Sequence, residues 1–238
     1  MDDRHFLPAA PLPSANRPLL GLTVLVVEDS VFACEALRLM CLRSGARLRR
    51  ADCLRSARRH LQVYRPSAVI VDLGLPDGPG TELIDELNRA RPRVGVILAT
   101  SGDEMARATA SAAGADGFLP KPLNSLAKFQ DAFLSRLPAD RQPAGPRLLR
   151  DQVIEPDLAA FRDDMAHAAD ILEDDISDSM LDYALQFLHG VALSAGDGAL
   201  MQASQSLARA RSEGTVTHAG RAHLAGLVHD RLRDRVAI

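Results

Sequence analysis

The stretch Val69-Ile70-Val71-Asp72 constrains this chain most. An apolar, β-branched run ends in an acid, and the loop Leu73-Gly74-Leu75-Pro76-Asp77-Gly78-Pro79-Gly80 follows it. A strand buried on both faces of a parallel sheet reads as such an unbroken apolar run. Three other runs end in polar residues in the same way. Leu25-Val26-Val27 leads into Glu28-Asp29, Val96-Ile97-Leu98-Ala99 into Thr100-Ser101, and Gly117-Phe118-Leu119-Pro120 into Lys121-Pro122. Ligands of open α/β sheets sit outside the carboxyl ends of the strands. Three carboxylates, a hydroxyl and a lysine are therefore expected along one sheet edge.

Helix signals separate these runs. Ser30 reads as the N-cap of a helix near residues 31–43, ended by Gly45, with Phe32, Ala36, Leu39 and Met40 on its apolar face. Residues 46–50 form a polar second strand suited to a sheet edge. Further helices are expected at 54–64, stopped by Pro66, and at 81–89, 103–112 and 123–137. The strands are expected at 22–27, 69–72, 94–99 and 116–119. Alternating strands and helices imply an α/β fold with a doubly wound, five-stranded parallel sheet.

The flanks differ from this core. Residues 1–18 are proline-rich and aperiodic, and read as a flexible tail ahead of a domain at 19–138. Residues 139–151, with prolines, a glycine and arginines, read as a linker. Residues 152–238 carry almost no strand signal. Helices are expected near 157–172, 178–195, 198–213 and 216–235, with breaks at Gly196-Asp197-Gly198 and Glu213-Gly214. Leu181, Leu185, Leu188 and Ala192 recur at helical spacing, as do Leu200, Ser204 and Leu207, and then Leu224, Leu227 and Val228. Short connections between amphipathic helices point to an all-α four-helix bundle.

Composition narrows the function. Residues 1–150 carry 21 Lys and Arg against 16 Asp and Glu, while residues 151–238 carry 7 against 15. The acidic bundle argues against a DNA-binding output. Cys34, Cys41 and Cys53 lack zinc-ligand spacing and read as reduced, buried thiols. No apolar run approaches the ~20 residues of a membrane span. The opening residues, with Asp2 and Asp3, lack the basic region of a signal peptide. A cytoplasmic protein is the expectation.

The acids, hydroxyl and lysine share a chemical logic. Carboxylates hold hard divalent ions such as Mg²⁺. A carboxylate can also act as a nucleophile and form an aspartyl-phosphate. Phosphoryl transfer needs mainly positioning and charge neutralisation. With these five groups in this order, the chain resembles the response-regulator receiver family over about its first sixty per cent. The resemblance implies a strand order 2-1-3-4-5, with Asp72 as phosphoacceptor. It implies Mg²⁺ bound by Glu28, Asp29, Asp72 and the backbone carbonyl of Gly74. Thr100, followed by Ser101, takes the place of the switch hydroxyl, and Lys121 that of the phosphate-pairing lysine. Pro122 stands at a cis proline, and Phe118 at the switch aromatic. The small Gly74 leaves room for water beside Asp72, and so implies fast loss of the phosphoryl group.

The stretch from Gln186-Phe187-Leu188-His189-Gly190 to Gly196 resembles the histidine-phosphotransfer (HPt) family, whose helix carries His-x-x-Lys-Gly. The glycine register puts Gln186 at the phosphorylated histidine and His189 at the lysine. A glutamine amide cannot store a phosphoramidate, so the bundle reads as a degenerate phosphotransfer module. Two alternatives stay open: a relay in which His189 is phosphorylated, and a bundle that dimerises the receiver. Asp163-Asp164 and Glu173-Asp174-Asp175 read as a solvated acidic face. The resemblances together imply a phosphoacceptor signalling protein, not an enzyme acting on other substrates. The expected partners are a histidine kinase or phosphotransfer donor and a protein bound through the bundle, with a homodimer possible; neither DNA nor a membrane is expected.

Overall fold

The structure, a computed structural model, describes residues 12–145, 152–173, 177–215 and 218–233. The receiver-like half is a five-stranded sheet of β1 (Thr23–Val27), β2 (Arg47–Ala51), β3 (Ala68–Asp72), β4 (Val96–Ser101) and β5 (Gly117–Pro120). All neighbours pair in parallel, in the order β2-β1-β3-β4-β5. The register sets Asp72 opposite Thr100. The helices are α1 (Val31–Ser44), α2 (Leu54–Val63), α3 (Gly80–Arg89), α4 (Ala106–Ala113) and α5 (Leu126–Leu134).

Successive side chains of a strand point to opposite faces of a sheet, and here each face has its own core. Val24, Val26, Ile70 and Leu98 meet Leu37 of α1 and Phe129 and Phe133 of α5. Leu25, Val27, Val69, Val71, Ile97 and Ala99 meet Leu54 of α2, Leu83 and Ile84 of α3, and Ala110 of α4. Ser30 caps α1 by accepting from the Ala33 N–H, and Gly45 ends that helix at φ 85°. Strand β2 lies at the sheet edge, as its charged residues required.

Several boundaries differ from the sequence reading, each for a local reason. The loop after β3 contains a small antiparallel hairpin, Gly74–Leu75 with Gly78–Pro79. Helix α4 starts at Ala106 because Asp103 holds a turn, donating its N–H to Ser101 Oγ and accepting from the Met105 N–H. Helix α5 starts at Leu126, capped by Ser125. The residues just before it pair elsewhere: Ser125 bridges Val153, and the Ile154 N–H donates to the Asn124 carbonyl at 2.8 Å. Ile154 is buried in the receiver core. Residues 152–154, assigned above to the bundle, thus belong to the receiver. The tail reading also needs correction for its described part. Ser14 and Arg17 close a turn, and the Leu19 N–H donates to the Ser44 carbonyl. Residues 1–11, and residues 146–151 of the expected linker, lie outside the described residues.

The C-terminal half is a bundle of α6 (Leu158–Glu173), α7 (Asp178–Ala195), α8 (Gly198–Ser212) and α9 (His218–Arg233). Each helix contacts the next, and α9 returns to α6. Their shared core includes Met165, Leu181, Leu185, Leu188, Leu200, Leu207, Leu224 and Val228. Asp197 caps α8 and also pairs with Arg231 of α9 at 2.7 Å. Helices α6 and α7 pack against α1 of the receiver, so the bundle sits at the carboxyl edge of the sheet.

Candidate functional site

Each strand delivers its terminal residue to that edge. Glu28 and Asp29 leave β1, Asp72 ends β3, Thr100 and Ser101 end β4, and Lys121 follows β5. Backbone bonds hold these strand ends in place. The Leu73 N–H donates to the Thr100 carbonyl at 3.1 Å and the Lys121 N–H to the Ser101 carbonyl at 2.9 Å. The Lys121–Pro122 peptide is cis, as the resemblance implied.

Glu28, Asp72, Thr100, Ser101 and Lys121 are all buried. Lys121 Nζ donates to Asp72 Oδ2 at 2.8 Å and lies 3.0 Å from Glu28 Oε2. The Gly74 N–H stands 3.4 Å from Asp72 Oδ1. Glu28, Asp29 and Asp72 each offer a carboxylate oxygen within 4.8 Å of the others. One lysine faces three acids, so the cluster is under-neutralised. Burial and the nearby Asp72 raise the Glu28 carboxyl well above its ordinary value. The same two causes push Asp29 up to about 6, against a hydrogen bond from Tyr183 that lowers it. Burial alone would lower the Lys121 ammonium, but the Asp72 and Glu28 carboxylates override it and raise it. An all-oxygen donor set with excess negative charge suits a hard divalent cation. The residues present therefore fit Mg²⁺.

Thr100 Oγ1 is buried and has no hydrogen-bond partner among the described residues. A buried hydroxyl without a partner is costly and calls for an explanation. Phe118 is already buried, with the Arg107 guanidinium carbon 4.9 Å from its ring centroid. Phe118 belongs to the same core as Ala99 of β4 and Ala110 of α4.

The bundle reaches the same site. Gln186, Phe187 and Gly190 of α7 line one small cavity together with Glu28, Asp29, Asp72, Gly74 and Lys121. Tyr183 donates its hydroxyl to Asp29 Oδ2 at 2.7 Å. A Cβ placed on Gly74 would collide with the Gln186 amide, so the space that the sequence suggested for water belongs to the glutamine side chain. His189 packs beside Gly102, and its Nδ1 is buried without a partner among the described residues.

Asp163 is exposed, as a solvated acidic face requires, but its neighbour Asp164 corrects that reading. Asp164 is 1% exposed. Its carboxylate accepts from Ser30 Oγ at 2.7 Å, from the Val31 N–H at 2.6 Å and from the Phe32 N–H at 3.1 Å. Burial raises its pKa, opposed by these three donors. Asp174 and Asp175 of the same expected face lie outside the described residues. Asp164 and Tyr183 are the site residues that sequence reasoning missed. Asp164 had a signal: it stands three residues after Phe161 and four before Ala168, on the apolar face of α6. Tyr183 lies three residues before Gln186, a helical neighbour, but nothing else marked it.

Comparison with known proteins places part of the chain. Residues 24–132 match the family model for the response regulator receiver domain. The KDP operon transcriptional regulatory protein KdpE of Escherichia coli is 34% identical over 99 residues, which is 42% of this chain and 44% of that protein. The transcriptional regulatory protein KdpE of Mycobacterium tuberculosis is 32% identical over 144 residues, 60% of this chain and 61% of that protein. The matches thus span about two fifths to three fifths of these relatives. Among solved structures, a putative response regulator from Chloroflexus aurantiacus is 30% identical, with a TM-score of 0.40 over 42% of this chain and 85% of that one. The receiver domain of the sensor histidine kinase PA1611 from Pseudomonas aeruginosa, with a magnesium ion in its active site cleft, is 24% identical, with a TM-score of 0.43 over 48% of this chain and 96% of that one. Among the described residues no helix is long and apolar enough to cross a membrane. Residues 24–132 of this chain are a response regulator receiver domain.

Proposed function

We propose that this protein is a phosphoacceptor of a two-component phosphorelay, with Asp72 as the accepting residue and the helical bundle as its output. One observation carries the reading: Asp72 sits at the sheet edge with Lys121 at 2.8 Å, two further carboxylates beside it and the partnerless hydroxyl of Thr100 on the adjacent strand. A phosphohistidine of a histidine kinase or phosphotransfer protein is the donor. An Asp72 carboxylate oxygen attacks the phosphorus, the phosphorus–nitrogen bond breaks, and the histidine nitrogen keeps the electron pair. Glu28, Asp29, Asp72 and the Gly74 carbonyl would hold Mg²⁺, which would supply positive charge to the phosphoryl oxygens. Lys121 then turns from the carboxylate to a phosphoryl oxygen, and Thr100 donates its hydroxyl to another. Ser101 keeps the turn that starts the loop to α4. Movement at Thr100 and Phe118 changes the face formed by α4, β5 and α5.

The bundle acts by protein contact. Its Gln186 stands where a phosphotransfer helix carries histidine, and its helix lies against a receiver site, as a phosphodonor helix must. The relatives are transcriptional regulators by name, but the acidic balance of residues 151–238 favours a protein partner over DNA. No activity on other substrates is proposed; the chain takes up a phosphoryl group and loses it. Incubation with a small acyl-phosphate donor and Mg²⁺, followed by intact mass, tests this. One phosphoryl adduct on wild type and none on Asp72→Asn is the expected result. An equal adduct on Asp72→Asn overturns the reading.

A further inference from the structure

The bundle leaves the phosphoacceptor site almost no room. Among Asp72, Lys121, Gln186, Phe187 and Gly190 the room open to the centre of a water-sized sphere is about 10 Å³. A single water needs about 10–15 Å³ of such room. Neither a phosphoryl group nor a donor histidine ring fits there while α7 is in place.

The contacts that hold α7 and α6 there are specific to a receiver mouth. The first turn of α1 exposes three backbone N–H groups that no helix can satisfy internally. Ser30 takes the Ala33 N–H, and Asp164 of the bundle takes those of Val31 and Phe32. The cap of a receiver helix is thus completed by a carboxylate from the other domain. Tyr183 binds the acid pair through Asp29. Two positions without side chains allow the close approach. Gln186 fills the notch at Gly74, and a Cβ on Gly190 would already touch Lys121 Nζ at 3.5 Å. The tether is short: Ile154 is anchored in the receiver core and α6 begins at Leu158. A short tether keeps the bundle at high effective concentration near the mouth.

We propose that the α6–α7 face carrying Asp164, Tyr183, Gln186 and Gly190 is a receiver-docking surface whose occupant is the phosphoacceptor mouth of the same chain, and that it competes with the phosphodonor for that mouth. The proposal rests on the reading of Asp72 as phosphoacceptor. Phosphorylation requires the bundle to swing away about residues 155–157, and the phosphorylated site does not accept it back. Coupling between two binding events is reciprocal, so docking weakens phosphorylation and phosphorylation weakens docking by the same factor.

The test uses the full chain and alters only the bundle side. Asp164→Ala removes the shared cap, and its bonds named above all go to the receiver, so the bundle keeps its own core. Gly190→Leu pushes a side chain into Lys121 and opens the same interface by collision. Losing a helix cap shifts an equilibrium by about fivefold to thirtyfold at its upper range. Labelling of Asp72 by a small acyl-phosphate donor should accelerate by up to that factor in Asp164→Ala, and also in Gly190→Leu. Hydrogen exchange at the Val31 and Phe32 amides should accelerate in both variants, while the bundle-surface variant Asp230→Ala behaves as wild type. Equal labelling rates in wild type and both opened variants overturn the competition and leave Asp72 as phosphoacceptor. No label on Asp72 in any variant overturns the phosphoacceptor reading, and the competition with it.

Discussion

Replacing Lys121 by Met should destabilise the receiver strongly without metal and weakly with it. Lys121 Nζ stands 2.8 Å from Asp72 Oδ2 and 3.0 Å from Glu28 Oε2, and the Glu28 side chain is fully buried. At an effective dielectric near 20, each contact is worth roughly 5 to 6 kcal/mol of direct attraction. Desolvation of the three groups offsets most of this. Removing one partner of a buried pair nonetheless costs about 3–5 kcal/mol, because the charges left behind have no compensation. Methionine keeps much of the lysine stem, so the loss is chiefly electrostatic. For a chain of this size it corresponds to a fall of about 6–20 °C in the receiver transition. An ion bound at a hundred times its Kd returns about 2.7 kcal/mol, and the variant, with one more uncompensated negative charge, binds it more tightly than wild type. The assay is urea unfolding of both proteins in chelator and in excess Mg²⁺. A loss below about 1 kcal/mol in chelator, or an equal gap in both buffers, would refute the electrostatic account of the cluster.

Other expectations follow from single contacts. Asp77 accepts from the Leu54 and Arg55 N–H groups at the start of α2, so Asp77→Ala should cost about 1 kcal/mol in urea unfolding. Ile154→Ala should cost about 2–5 kcal/mol and act on the receiver transition, since Ile154 lies in that core. Asp197 is held below its ordinary value first by its hydrogen bond from Arg231, against burial that raises it. Its contribution to the bundle is therefore present above the unfolded carboxylate value of about 3.9 and is lost as pH falls through the lower folded value. Asp197→Ala should remove that part of the acid sensitivity, as read by helical circular dichroism between neutral and low pH. Gly74→Met places a side chain where Gln186 now lies, so amide exchange in α7 should accelerate; unchanged exchange would contradict the fit between the two residues.

Much of this architecture was legible in the sequence because its signals are local. Ser30 and Gly45 bracket α1 through capping chemistry, and the apolar runs ending in Glu28, Asp72, Thr100 and Lys121 mark strand ends without knowledge of their neighbours. The bundle helices followed from apolar spacing, and all four appear close to the expected bounds. What escaped was set by contacts between distant segments. Asp164 looked like one of a run of surface acids, yet α1 of the receiver supplies it with donors 132 to 134 residues away. Residues 152–154 looked like the start of the bundle because no local pattern records that they pair with Asn124 and Ser125. Gly74 suggested an opening for water because the residue that fills it, Gln186, comes more than a hundred positions later.

Residue-level mapping of the phosphoryl group decides whether Asp72 is the acceptor. Full-length protein is charged with an acyl-phosphate donor in Mg²⁺, the acyl phosphate is reduced with borohydride, and the digested peptides are sequenced by mass. One modified position, Asp72, is expected in wild type and in Asp164→Ala, with more of it in the latter. Stable label on His189, or on any residue other than Asp72, would contradict that assignment.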